Sequence, residues 1–188
     1  MSKEKIIEMV RLNKPQAKPV FIHPDVKEAV TGTLMKEKFG NILEKVGGVC
    51  IKANGIEELN LIIGEKFPEA VRFDQDEAWE EYREASLRTL EQLDTIVLKG
   101  QFGVAENAAV WMDDSCFPNR VIPFIAKKVV IALPSSRMVE DMHQAYSLIS
   151  SVNTGFGLFV SGPSKTADIE QSLVYGAHGP VSLTVILY

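Results

Sequence analysis

The sequence predicts an α/β domain built on a mainly parallel sheet, and three observations predict it. Short runs such as Val129–Leu133 and Leu183–Leu187 are apolar without alternation, as strands buried on both faces are. Segments with helical spacing separate such runs, and strands alternating with helices build parallel sheets. The length of 188 residues suits one domain with a sizeable core.

The elements follow in order. Residues 3–13 place Ile6, Ile7, Val10 and Leu12 on one helical stripe, and Pro15 stops it. Pro15 to Pro24 reads as an extended connector, so residues 1–24 form an N-terminal helix with a Pro-containing connector and residues 25–188 form the domain. The N-terminal piece packs either on its own domain or, as an arm, on a second subunit of a homo-oligomer. Residues 25–46 carry helical periodicity, with candidate breaks at Gly32 and Gly40 and a glycine C-cap at Gly47-Gly48. Val49–Lys52 is a short strand. Ile56–Phe67 is an amphipathic helix stopped by Pro68, and Ala70–Phe73 is a brief strand. The acidic stretch Asp74–Glu84 is a solvated loop or helix face. Leu87, Leu90 and Leu93 mark a helix leading into strand Thr95–Leu98. Ala108–Met112, Val129–Leu133, Gly157–Val160 and Leu183–Leu187 are further strands. Met138–Ile149 is a helix with Val139, Met142, Tyr146 and Ile149 inward.

Composition narrows the function classes. Hydrophobic residues make up 46% and charged residues 24%, values of an ordinary folded domain. The net charge of −5, with basic residues scattered, argues against nucleic-acid binding. No apolar run reaches the ~18–20 residues of a membrane span, and the charged N-terminus lacks a secretory core, so a cytoplasmic, non-membrane protein is expected. Cys50 and Cys116 form no C-x-x-C pair, and His23, His143 and His178 share no ligand spacing. No metal site and no cofactor bound by this chain is therefore expected.

The most informative segment is Gly157–Glu170, where an apolar strand runs into Ser161-Gly162-Pro163-Ser164-Lys165-Thr166. A helix is expected to start there, with Thr166 or Asp168 as its N-cap. Ligands of open α/β sheets settle beyond the carboxyl ends of strands, and a helix N-terminus offers free N–H groups. Ser161, Ser164 and Thr166 add hydroxyls, Lys165 adds charge, and Gly162 permits close backbone approach. Together these groups suit a carboxylate or a phosphate. The alternative is a tight turn whose hydroxyls only cap a helix. A P-loop is excluded, because Ser164 and Phe159 stand where its glycines must be.

Ser161 to Pro180, SGPSKTADIEQSLVYGAHGP, followed by an apolar final strand, resembles the C-terminal signature of the LUD domain. That family includes bacterial lactate-utilisation proteins of the lactate utilization protein C type. Its pattern is close to S-G-P-S-[RK]-T-[AS]-D-I-E…G-[VA]-H-G-P, and nearly every position is met. Its upstream A-E-T-G-T element is similar to Ala105-Glu106-Asn107-Ala108-Ala109, with Asn107 for the threonine and Ala108 for the glycine. A family arginine matches Arg120. The likeness covers roughly residues 85–188.

The resemblance implies a three-layer α/β/α sandwich of the NagB/RpiA/CoA-transferase-like type. It also implies a part in oxidation of L-lactate to pyruvate. The chain reaches Tyr188 without a cysteine-bearing extension, so iron–sulfur clusters are expected only on partner proteins. Whether the chain is itself an enzyme stays open. If it is, Glu106 is the favoured acid/base or nucleophile. It lies among small apolar residues whose burial would raise its pKa, and Glu106-Asn107 is faintly similar to a CoA-transferase glutamate element. The other reading is a buried structural glutamate paired with Arg120. His178, in the turn Gly176–Pro180, is the second catalytic candidate, either a proton donor or a structural turn residue. Asn107 and Arg120 complete the candidate ligand set. Asp168 reads as a cap and Glu170 as a base or a first-turn carboxylate. Two alternatives stand beside the lactate role. One is a stand-alone enzyme of the sugar-phosphate isomerase, CoA-transferase or folate cyclo-ligase kind; the other is a non-catalytic small-molecule sensor.

Overall fold

The computed structural model describes residues 3–12, 32–75, 78–149, 155–167, 173–176 and 178–188. The Pro15–Pro24 connector and the helical spacing over 25–31 lie outside the described residues, as do Asp168 and Glu170. The N-terminal helix α1 spans Lys3–Leu12, and its Ile6, Ile7, Met9 and Leu12 are exposed.

The centre is a five-stranded parallel sheet of β1 (Val49–Lys52), β2 (Val71–Arg72), β3 (Thr95–Lys99), β6 (Lys128–Leu133) and β11 (Ser182–Leu187). Its order is β1-β11-β6-β3-β2. The β11–β6 pair runs in register from Ser182↔Lys128 to Leu187↔Leu133. Their apolar runs, broken in β11 by the buried Thr184, are explained by burial on both faces. Val129, Ile131 and Leu133 point into one core with Leu183, Val185 and Leu187, while Val130, Ala132 and Ile186 point into another. This is the period-two alternation of a strand with two dry faces.

Helix α3 (Ile56–Lys66) closes the second core with Leu59 and Ile63. Helix α2 (Gly32–Lys45) closes the first with Phe39 and Leu43. Gly40 does not break α2. It faces Cys50, and a Cβ there would lie 3.4 Å from the Cys50 sulfur, in ordinary contact. The helix ends where expected: Gly47 takes φ 84, and the Gly47 and Gly48 N–H groups reach Glu44 O and Leu43 O, each at 2.9 Å. The acidic stretch holds the short α4 (Trp79–Arg83). The single-turn α5 (Leu87–Leu90) follows, with the Ser86 hydroxyl accepting the Thr89 N–H.

The sequence did not announce a second sheet. It comprises β4 (Phe102–Val104), β5 (Ala109–Asp113), β7 (Met138–Val139) and β8 (Gly157–Val160), in the order β7-β4-β5-β8. Strand β5 is antiparallel to both β4 and β8. Val110 and Met112 of β5 face the first core beside α2. Ala109 faces outward onto Ala145 of helix α7 (Met142–Ile149). The fold is thus the expected α/β sandwich, with this small sheet and α7 added to one outer layer.

Three expectations change. Gly157–Val160 is a half-buried strand of the second sheet, not a buried strand of the parallel one. Met138–Ile149 is split: Met138-Val139 pairs with β4, and the helix begins at Met142. The Asp141 carboxylate there accepts the Gln144 N–H at 2.9 Å. Ala145 is the buried face of α7 and Tyr146 is exposed, because only a small side chain allows the helix this close to Ala109. Finally, Lys165–Ala167 is strand β9, antiparallel to β10 (Leu173–Tyr175), and not a helix start. Thr166 opposite Val174 suits a ribbon, since β-branched residues fit a pleated surface.

Ala108 holds the left-handed conformation, φ 54, while fully buried. That region costs a residue bearing Cβ about 1–2 kcal/mol. Ala108→Gly is therefore expected to leave stability unchanged or raise it by up to about 1 kcal/mol in chemical denaturation. Ala132→Gly, in a regular buried strand, should cost about 1–2 kcal/mol. Equal losses at the two positions would show that Ala108 carries no strain.

Candidate functional site

Strand β8 delivers Ser161 at its end, and the Ser161 hydroxyl donates to the Asn107 carbonyl at 2.6 Å. The signature turn is thereby tied to the β4–β5 turn. Gly162, at φ 76, is pressed against α2's end: a Cβ there would lie 2.8 Å from the Val46 carbonyl oxygen. The close backbone approach expected of Gly162 is thus toward the protein's own helix.

Ser164 laces the two ends of the signature together. Its N–H donates to Pro180 O at 2.8 Å, and its own carbonyl accepts the Gly176 N–H at 3.0 Å. Gly179 lies close beside it: a Cβ there would come 3.1 Å from the Ser164 Cβ, a tight contact. Ser161, Gly162, Ser164 and His178 consequently border one cavity of about 280 Å³. Met112, Val129 and Leu183 supply apolar walls, with Pro123 and Phe124 from the single-turn helix α6 (Ile122–Ile125). The sequence marked none of these five, because each reads as an ordinary core residue. His178 is exposed and is the titratable side chain among the described lining residues.

The cavity lies at the opposite end of the sheet from the one expected. Val181 N–H donates to Lys127 O at 2.8 Å, so the turn sits where β6 and β11 begin, not where they end. The reason is that β8 belongs to the second sheet, so its carboxyl end need not coincide with those of the parallel strands. The free N–H groups of a helix start at Thr166 are also replaced by a ribbon. Lys165 is exposed on β9, and neither Lys165 nor Thr166 lines the cavity.

The remaining candidates fall elsewhere. Glu106 is exposed, not buried, and its carboxylate accepts the Met142 N–H at 3.1 Å at the start of α7. It does not line the cavity with Gly162. Its small apolar neighbours Val104, Ala105 and Ala108 turn inward while the carboxylate turns out. The Asn107 side-chain oxygen is used locally, accepting the Ala109 N–H at 3.1 Å. Arg120 does not pair with Glu106. It grips Asp114 through Nε–Oδ1 and Nη2–Oδ2 contacts, both 2.8 Å, and lies 5.2 Å from the Phe156 ring centre. That guanidinium holds the Asp114 carboxyl below its usual range. The signal for this pair was nearness: Asp114 stands six positions from Arg120.

Burial pushes the thiols of Cys50 and Cys116 above the usual range. No group of three or more His, Cys, Asp or Glu residues placed to hold a metal ion occurs among the described residues. No helix among them is long and apolar enough to cross a membrane. The cavity offers hydroxyls and an imidazole set in apolar walls, which suits orienting a small polar molecule.

Comparison with known proteins adds identity. A protein named lactate utilization protein C from Bacillus pumilus is 31% identical over 111 residues, covering 56% of this chain and 46% of that protein. The namesake from Anoxybacillus flavithermus is 36% identical over 85 residues, covering 45% of this chain and 39% of that one. Lactate utilization protein C 1 of Bacillus mycoides is 26% identical over 163 residues, covering 72% and 70%. The chain spans about half the length, or less, of the first two relatives. A crystal structure of a DUF162 family protein from Deinococcus radiodurans matches with a TM-score of 0.62 at 12% identity, covering 85% of this chain and 99% of that one. That likeness supports the fold. The profile of the LUD domain matches residues 4–188, and the chain belongs to the LUD domain family.

Proposed function

We propose that this chain is a cytoplasmic, cluster-free component of L-lactate utilisation that holds a small organic anion in the cavity bordered by Ser161, Ser164 and His178. The observation that carries the reading is the closure of both ends of the signature on that one cavity through the Ser164 backbone. The names of the relatives support the metabolic setting. A carboxylate would accept from the Ser164 hydroxyl and the His178 imidazole, the Ser161 hydroxyl being engaged by Asn107, while Phe124 and Leu183 shield it from water. Oxidation of lactate to pyruvate releases electrons, and iron–sulfur partner proteins would carry them away. A transferase acting through Glu106 has less support, because that carboxylate lies outside the cavity and caps α7.

A thermal-shift series with L-lactate, pyruvate and inorganic phosphate tests the anion site. Ligand at about 100 times its Kd adds about 2.7 kcal/mol to the native state, a rise of several degrees. Ser164→Ala should weaken the carboxylate about fivefold, the loss of one hydrogen bond, and His178→Asn should also weaken it. The site reading fails if no anion raises the melting temperature, or if both variants respond as the parent does. Co-expression with the iron–sulfur proteins of such a system should yield a co-purifying complex; separate elution would remove the partner assignment.

Glu106→Ala is expected to cost about 1 kcal/mol of stability through the lost helix cap, with Glu106→Gln close to the parent. Anion binding should be unchanged in both. Loss of binding in Glu106→Gln at unaltered stability would return this residue to the site.

A further inference from the structure

A second cavity, of about 490 Å³, lies beyond the carboxyl ends of β3 and β6, where Gln101 and Ser136 follow those strands. That is the edge at which parallel sheets receive ligands, and the volume is that of a small-molecule site. None of the signature residues lines it.

Beside the exposed Arg137 at its rim, its walls have two chemically distinct parts. One is an aromatic platform. Phe102 and Trp111 are register partners on β4 and β5, with ring centres 6.4 Å apart and planes inclined by 27°. The indole is backed by Gly157, where any Cβ would collide with the ring, and by Phe159 at 4.8 Å. It is thus held in place yet only half-buried. The other part is a pair of acceptors. Asp113 is 5% exposed. Its Oδ1 takes the hydrogen bonds of Gln101 Nε2 at 3.0 Å, Ser115 N at 3.0 Å and Ser115 Oγ at 2.6 Å. Its Oδ2 takes none of them. Gln101 spends its Nε2 on Asp113 and Ser115, so its carbonyl oxygen is left as a second acceptor on the same hydrogen-bonded pair. Both residues line the cavity.

A flat ring fits the platform, and two acceptors on one hydrogen-bonded pair, one of them a carboxylate, call for two donors on one edge. From this geometry we infer that the cavity binds a flat heteroaromatic compound whose edge presents an N–H beside an amino group, as the aminopyrimidine edge of guanine and of pterins does. The compound stacks on Trp111 and donates to Asp113 Oδ2 and Gln101 Oε1. This site is separate from the anion cavity, and its failure would leave that proposal standing.

The chain has two tryptophans, so Trp79→Phe leaves Trp111 as the only one. In that variant, guanosine and pterin are titrated while Trp111 fluorescence is read, with calorimetry as a second readout. Saturable quenching by at least one of them is expected, and which one binds better separates the two sources. Inosine lacks the amino group and should bind guanosine's site about tenfold more weakly or worse, and Asp113→Asn should lose a similar factor. No saturable binding of either compound, or equal binding of guanosine and inosine, would overturn the inference. A folded Asp113→Asn variant binding like the parent would do so too. Should Asp113→Asn fail to fold, the ligand pair decides alone.

Discussion

Strands β6 and β11 lie side by side over six residues each, and almost nothing of either reaches water. Backbone polar groups so deeply buried must find partners, and the parallel ladder supplies them. Each face of the pair also needs cover. Leu59 and Ile63 give it on one side; Phe39, Leu43, Val110 and Met112 give it on the other. The layers of the molecule follow from this one requirement. So does the position of the signature, because Val181 is joined to Lys127 just where both strands begin.

The signature does much of its work on the protein itself. Gly162, at positive φ, leaves room for the Val46 carbonyl, and Gly179 packs closely against Ser164. Ser161 anchors the turn to Asn107. These are packing and hydrogen-bonding demands, met whether or not a ligand is present. They hold the cavity open between two turns distant in sequence, which is the kind of preorganisation that binding sites need. Glu106 shows the same economy: it joins the β4–β5 turn to the first turn of α7, linking two elements that flank the small sheet.

The two cavities lie toward opposite ends of the parallel strands and differ in chemistry. One is framed by hydroxyls and an imidazole, the other by a carboxylate, an amide, a guanidinium and two aromatic rings. Strand β5 contributes to both, with Met112 on one face and Trp111 on the other, because successive side chains of a strand point to opposite sides. The small sheet is thus a partition between them.

What the sequence determined by itself was local or strongly periodic. The strands Thr95–Lys99, Lys128–Leu133 and Ser182–Leu187 were legible because burial on both faces favours apolar residues, Thr184 being the buried polar one. The end of α2 was legible because Gly47 alone suits its conformation. The family was legible in twenty consecutive positions, Ser161 to Pro180. Tertiary structure alone decided which strands join which sheet, since Gly157–Val160 reads alike in either. It decided that Lys165–Ala167 pairs with Leu173–Tyr175 instead of coiling, because the partner that makes an extended segment stable lies outside any local window. It decided, too, that Glu106 faces water and that Arg120 belongs to Asp114. A side chain's burial depends on residues far away along the chain, and even a nearby charge partner such as Asp114 is chosen only once the loop that carries both residues has folded.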